Sequence, residues 1–133
     1  MGRGRSCEIW RGTDLALNRP VAVKLLGAEV AAQAEPLARF RAEARNSGSL
    51  LHEAVVRTYD YAEPADRVPF LVMEYVDGPS LAAVLAQGPV PARWVLDIVA
   101  QVAAGLHAVH QVGLMHGGVT PRNILLGRCH ALA

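Results

Sequence analysis

The chain has 133 residues, of which 52% are hydrophobic and 19% charged, with a formal net charge of +1. That is enough chain for one modest core, and a near-neutral balance leaves no electrostatic footprint for nucleic acid. No uninterrupted apolar run approaches the roughly 18 residues of a membrane span, and the basic start "MGRGRSCEIW" lacks the apolar centre of a signal peptide.

The two cysteines, Cys7 and Cys129, stand at opposite ends of the chain. With no CxxC they argue against a disulfide scaffold or a zinc site and suit a cytosolic setting. "CEIWRGTD" (7–14) and "PVAVKLL" (20–26) predict two strands joined by the turn-rich "LALNR". "QAEPLARFRAEAR" (33–45) places Leu37, Phe40 and Ala44 at helical spacing among strong helix formers. "AVVRTYDYAE" and "PFLVMEYV" predict two more strands around the turn "PADRVP". After "DGPS", whose Ser80 is a natural N-cap, a short helix is expected over Leu81 to Gln87.

The longest element is a helix over 92–112, with Val95, Ile98, Val102, Leu106 and Val109 as its apolar stripe. The order is strands, helix, strands, helices: an α+β layout in which a small sheet precedes a helical part. His107 and His110 are three apart on this helix, but no third ligand is near, so they read as helix-surface residues.

Two counts are sharper. Lys24 is the only lysine among thirteen basic residues, and no Asp or Glu follows Asp97. Taken singly, the candidate chemical groups are ordinary. In sequence they form a series. A glycine-rich turn lets backbone N–H groups approach phosphate oxygens, and a lysine on the next strand can meet the same phosphates as a compact charge. Glu43, nineteen residues after Lys24 on a helix, can pair with that ammonium, and Asn123 in a later loop can offer an oxygen to a divalent cation.

In this order the motifs resemble the first half of a bacterial Ser/Thr protein kinase domain. "GRGRSCEIWRGTD" is similar to the nucleotide-covering loop and second strand, "VAVK" to the lysine strand, and "RFRAEAR" to the helix bearing its glutamate. "LVMEYVDGPSL" resembles the hinge and "GLMHGGVTPRNILL" the catalytic loop. The resemblance implies a small lobe with an antiparallel sheet and one helix over residues 1–76, its first strand mostly missing, so that a sheet edge is left unpaired. It implies the first helices of a large lobe over 77–133.

It further implies that Gly2, Gly4 and Ile9 cover a nucleotide, that Ala22 lines the adenine slot, and that Lys24 pairs with Glu43. Met73 falls at the gatekeeper position, Glu74 and Val76 offer backbone groups to adenine, and Leu125 closes the slot. ATP is the implied cofactor, and Asn123 is the one tail residue that matches a magnesium ligand. Cys7 replaces the third loop glycine, and Gly117, Gly118 and Thr120 stand where the family carries Arg, Asp and Lys.

The catalytic base is therefore replaced by Gly118, and general-base catalysis typically contributes about 10²–10⁴-fold. The chain also ends before the family's second metal-binding segment, so a truncated, pseudokinase-like domain without phosphotransfer of its own is expected. Two alternatives remain. One is an interaction module whose protein partner covers the stripe of Val95, Ile98, Val102, Leu106 and Val109. The other is a relative of small-molecule kinases of the aminoglycoside type, whose loops also read "HG" before the missing acid.

Overall fold

A computed structural model describes residues 7–127. Gly2, Gly4 and Cys129 therefore lie outside the described residues. The elements in chain order are β1 (Cys7–Asp14), β2 (Arg19–Leu26), α1 (Ala28–Ala31), α2 (Ala34–Gly48), β3 (Thr58–Ala62), β4 (Phe70–Glu74), α3 (Leu81–Leu85) and α4 (Ala92–Gln111). They fall into two compact units. One runs up to Leu51 and adds Val56–Tyr75; the other joins His52–Val55 to the chain from Val76 onward.

The first unit is built on a four-stranded sheet in the order β1-β2-β4-β3, antiparallel throughout. The β1–β2 turn is set by Asp14, whose Oδ1 accepts from the N–H groups of Ala16 and Leu17 at 3.0 and 3.2 Å, while Asn18 takes the left-handed conformation at φ 49° that asparagine tolerates. α2 lies on one face of the sheet. Its Phe40 and Ala44 join Leu26 and Leu71 in a buried cluster, flanked by Leu37, Tyr61 and Met73. Leu71 is completely buried, so truncating it would leave a cavity costing about 2–5 kcal/mol.

The second unit holds α3, α4 and the loop after α4. Ser80 caps α3, its Oγ accepting from the N–H of Ala83 at 3.1 Å. α4 approaches the 52–55 segment closely at Gly105, where an added Cβ would meet the Cβ of Ala54 at 3.2 Å and Val55 Cγ2 at 3.3 Å. By length and composition α4 is also the one helix among the described residues long and apolar enough to cross a membrane. Its Arg93, Asp97 and buried Gly105 fit a packed protein helix better than a lipid-facing one.

Several boundaries differ from those the sequence pattern predicts. The strand expected from Ala54 begins only at Thr58, because His52–Val55 makes a turn: His52 accepts from Ala54 through Nδ1 and from Val55 through its carbonyl, both at 3.0 Å. α2 runs on to Gly48, α3 stops at Leu85 ahead of Gly88 at φ 133°, and α1 has no sequence signal. The expected stripe on α4 is not uniformly open. Ile98 and Val109 are each only 5% exposed, Val102 and Leu106 are half-buried, and only Val95 is open. The exposed apolar face lies instead along Leu96 and Val99.

Two glycines should respond in opposite directions. A Cβ on Gly78 would sit 1.8 Å from the carbonyl oxygen of Leu126, whereas nothing lies within 4 Å of one on Gly48. Gly78→Ala should cost about 1–3 kcal/mol or more, and Gly48→Ala should stabilise by roughly 0.5–1 kcal/mol, both read from chemical denaturation midpoints.

Candidate functional site

In an antiparallel sheet, side chains of directly paired residues share a face. The register pairs Ile9 with Lys24, Lys24 with Leu71, and Ala22 with Met73. Ile9, Ala22, Lys24 and Met73 therefore line up on the face that α2 partly covers. From α2, Glu43 reaches this row. The Lys24 ammonium donates to both carboxylate oxygens, at 2.6 and 2.9 Å. The pair spans nineteen residues and is the first contact that the sequence series requires.

Lys24 is the better shielded partner, its side chain 21% exposed against 46% for Glu43. With two donors on the carboxylate, the ammonium still presents a third. Cys7, paired with Leu26 on β1, lies close by. Burial pushes its thiol above the usual range, with Lys24 opposing and Glu43 adding to the shift. It stays protonated at neutral pH and is no nucleophile there.

Glu74 ends β4. Its backbone N–H is committed to the carbonyl of Arg57 at 2.8 Å, and its carboxylate accepts from the N–H of Arg57 at 3.2 Å. A contact from Glu74 to a base edge would therefore fall to its carbonyl.

On the far flank of α2 a second ion pair ties the helix to the end of β3. Arg41 Nε donates to Glu63 Oε2 at 2.9 Å, its NH2 group meets Oε1, and the Tyr61 hydroxyl donates to Oε2 at 2.9 Å. The Arg41 hydrogen bonds, aided by that of Tyr61, hold the Glu63 carboxyl down at about 2. A shallow hollow lined by Arg41, Ala44, Arg45, Tyr61 and Glu63 opens here, away from Lys24.

In the second unit the 116–126 loop is braced from within. Asn123 Nδ2 donates to the carbonyl of Gly118 at 2.7 Å, and the N–H of Gly118 donates to His116 Nδ1 at 3.1 Å. The N–H groups of Leu81 and Ala82 reach the carbonyls of Ile124 and Pro121 at 2.8 and 2.9 Å, and Ser80 bridges Leu125. Leu125 is 43% exposed. Val76 and Leu125 thus belong to this unit, whereas Lys24, Glu43, Met73 and Glu74 belong to the other.

No cluster of three or more His, Cys, Asp or Glu able to hold a metal occurs among the described residues. Asn123 already spends its amide N–H on the loop and has one oxygen to give. These residues do not build a divalent-cation site by themselves. The Arg41–Glu63–Tyr61 group is what sequence reading missed. Its signal was faint: an arginine two residues before Glu43, and an acid just after a strand.

The sequence profile of the protein kinase domain family matches residues 1–131. Serine/threonine-protein kinase PknB of Mycobacterium tuberculosis is 38% identical over 136 residues, covering 99% of this chain and 22% of PknB. Serine/threonine-protein kinase pkn2 of Myxococcus xanthus is 39% identical over 128 residues, covering 96% of this chain and 15% of that protein. Among solved structures, the M. tuberculosis PknI kinase domain superposes with a TM-score of 0.85 at 29% identity, covering 98% of this chain and 53% of that one. The chain thus spans less than a quarter of these curated relatives and about half of the solved domain. The four-stranded sheet with its helix is the small lobe of that fold, and α3 and α4 are the first helices of the large lobe.

Two substitutions test the loop. A Cβ on Gly118 would make only ordinary contacts, at 3.6 Å or more, whereas Gly117 sits at φ 70°. Gly118→Asp should change stability by no more than about 0.5 kcal/mol, while Gly117→Ala should cost roughly 1–2 kcal/mol, measured by denaturant unfolding. A third concerns acid. The carboxyl of Glu63 is lowered from 4.5 to about 2, so its contribution is complete above the unfolded value and is lost as pH falls through the folded one. Glu63→Gln should lower Tm near neutrality and flatten the fall of Tm between pH 5 and about 2, followed by circular dichroism.

Proposed function

The chain belongs to the protein kinase domain family, and from that premise we propose that it binds ATP without transferring its phosphoryl group. The observation that carries this reading is the Lys24–Glu43 pair, formed at 2.6 Å across the sheet face that also presents Ile9, Ala22 and Met73. An ammonium fixed in direction by a carboxylate is suited to hold phosphate oxygens. The resemblance to the family assigns Gly2 and Gly4 to the covering loop, Glu74 and Val76 to the adenine contacts, and Leu125 to the closing of the slot. Such a domain works in the cytoplasm, where ATP is available.

Transfer fails for want of a base. Gly118 occupies the position where family members place an aspartate. The missing charge at Thr120 removes a second aid, since the transferring group gains most from preorganised cations. Magnesium, when present with the nucleotide, would supply charge neutralisation of the phosphates; Asn123, its amide nitrogen held by the Gly118 carbonyl, would offer it a single oxygen.

A second reading is favoured by one observation: Leu96 and Val99 on α4 are 71% and 57% exposed. A protein-interaction module would cover this face, with Val95 beside it, by a partner protein. Leu96→Asp should then abolish co-purification of that partner while leaving nucleotide binding intact; unchanged co-purification sinks this reading.

Nucleotide binding is tested by thermal shift with ATP, with and without magnesium. Ligand at ten times Kd should stabilise by about 1.4 kcal/mol, and Lys24→Ala should remove the shift. No shift at millimolar ATP, or a shift that Lys24→Ala leaves untouched, would sink the proposal.

A further inference from the structure

An ion pair between a strand and a helix depends on the roll of the helix about its own axis. α2 turns by roughly 100° per residue, so Glu43 lies about 60° to one side of Phe40 and Arg41 about 100° to the other. Phe40 and Ala44 are buried at 3% and 8% exposure and define the line of contact with the sheet. Glu43 and Arg41 thus flank this line on opposite sides, each holding an oppositely charged partner on a strand or just beyond one.

Contacts between α2 and the β3 segment run along the length of the helix. α2 runs antiparallel to β3: Thr58 Oγ1 donates to Ser47 Oγ at 2.9 Å near the C-terminal end of the helix. One turn and more toward its N-terminus, the rings of Phe40 and Tyr61 are 6.0 Å apart, and the adjacent Arg41 closes on Glu63 beyond the last residue of β3. Apolar packing by Phe40 and Ala44 tolerates small rotations, because dispersion has no direction. A two-pronged arginine–carboxylate contact does not. With side-chain tips about 5 Å from the axis, a roll of roughly 30° moves a tip by about 2.6 Å, enough to open the Lys24–Glu43 contact.

We propose that Arg41 and Glu63, steadied by Tyr61, are positioning residues for Lys24: their ion pair fixes the roll of α2 and thereby keeps Glu43 on the lysine. Exposed pairs add little to global stability. What this pair contributes is direction, since it resists a roll that the apolar stripe tolerates. Its bearing on nucleotide affinity rests on the ATP-binding reading above, but the geometric coupling does not.

The chain itself supplies the probe. Lys24 is its only lysine, so protein labelled with ¹³C,¹⁵N-lysine gives one side-chain resonance, read without nucleotide. Glu43→Gln defines the unpaired position of that resonance. Arg41→Ala and Glu63→Gln should move it more than half of the way there, and the charge-exchanged double variant Arg41→Glu/Glu63→Arg should bring it back toward wild type. In a parallel titration, Arg41→Ala should weaken ATP binding about fivefold or more.

A lowered Tm with the Lys24 resonance unmoved would overturn the proposal, because the pair would then be merely structural. Should Arg41→Ala fail to fold, the milder Glu63→Gln decides the same question. If wild-type protein binds no ATP, the functional reading falls while the resonance shifts still judge the coupling; if ATP binds and the resonance stays put, only the positioning role falls.

Discussion

The Lys24–Glu43 contact is the constraint on which the first unit's chemistry depends. It requires three independent things: a strand whose alternation points Lys24 toward α2, a helix whose apolar stripe seats Phe40 and Ala44 on that face, and a register that places Ile9 and Leu71 on either side of the lysine. A slip of one residue in β2 would turn Lys24 to the opposite face and replace it with Val23 or Leu25. The buried row of Leu26 and Leu71 forbids that slip. Packing energy enforces the register, and the register delivers the charge.

The second unit is organised by backbone hydrogen bonds more than by side-chain packing. Asn123 Nδ2 donates to the carbonyl of Gly118, and the N–H of Leu126 donates to the carbonyl of Pro79 at 2.9 Å. Gly78 permits this approach, since any side chain there would collide with Leu126. The loop is thus tied to α3 through main-chain groups and braced from within by the His116 and Asn123 side chains.

What could be read in the sequence follows from which forces are local. The alternation Val21, Val23, Leu25 and the spacing of Leu37, Phe40 and Ala44 announced a sheet and a helix, and Ser80 announced a cap, because each is set by near neighbours. The pairing of Lys24 with Glu43 was legible only through resemblance to a family, as no spacing rule fixes a contact across nineteen residues. The turn at His52–Val55 was missed because its apolar residues mimic a strand; Ala54 and Val55 are apolar in order to meet Gly105 on α4. The stripe on α4 was misjudged for a related reason. Periodicity identifies an apolar face, but not which of its residues the same chain already covers, and Ile98 and Val109 are covered.

The bracing of the 116–126 loop has a consequence beyond shape. Because His116 and Asn123 address the main chain of Gly118, the identity of the residue there leaves no trace in the hydrogen bonds that hold the loop. Stability and reactivity are thus recorded in different atoms. A folded domain is therefore indifferent to whether this position carries a side chain, and substitution there would leave the loop's hydrogen bonds in place.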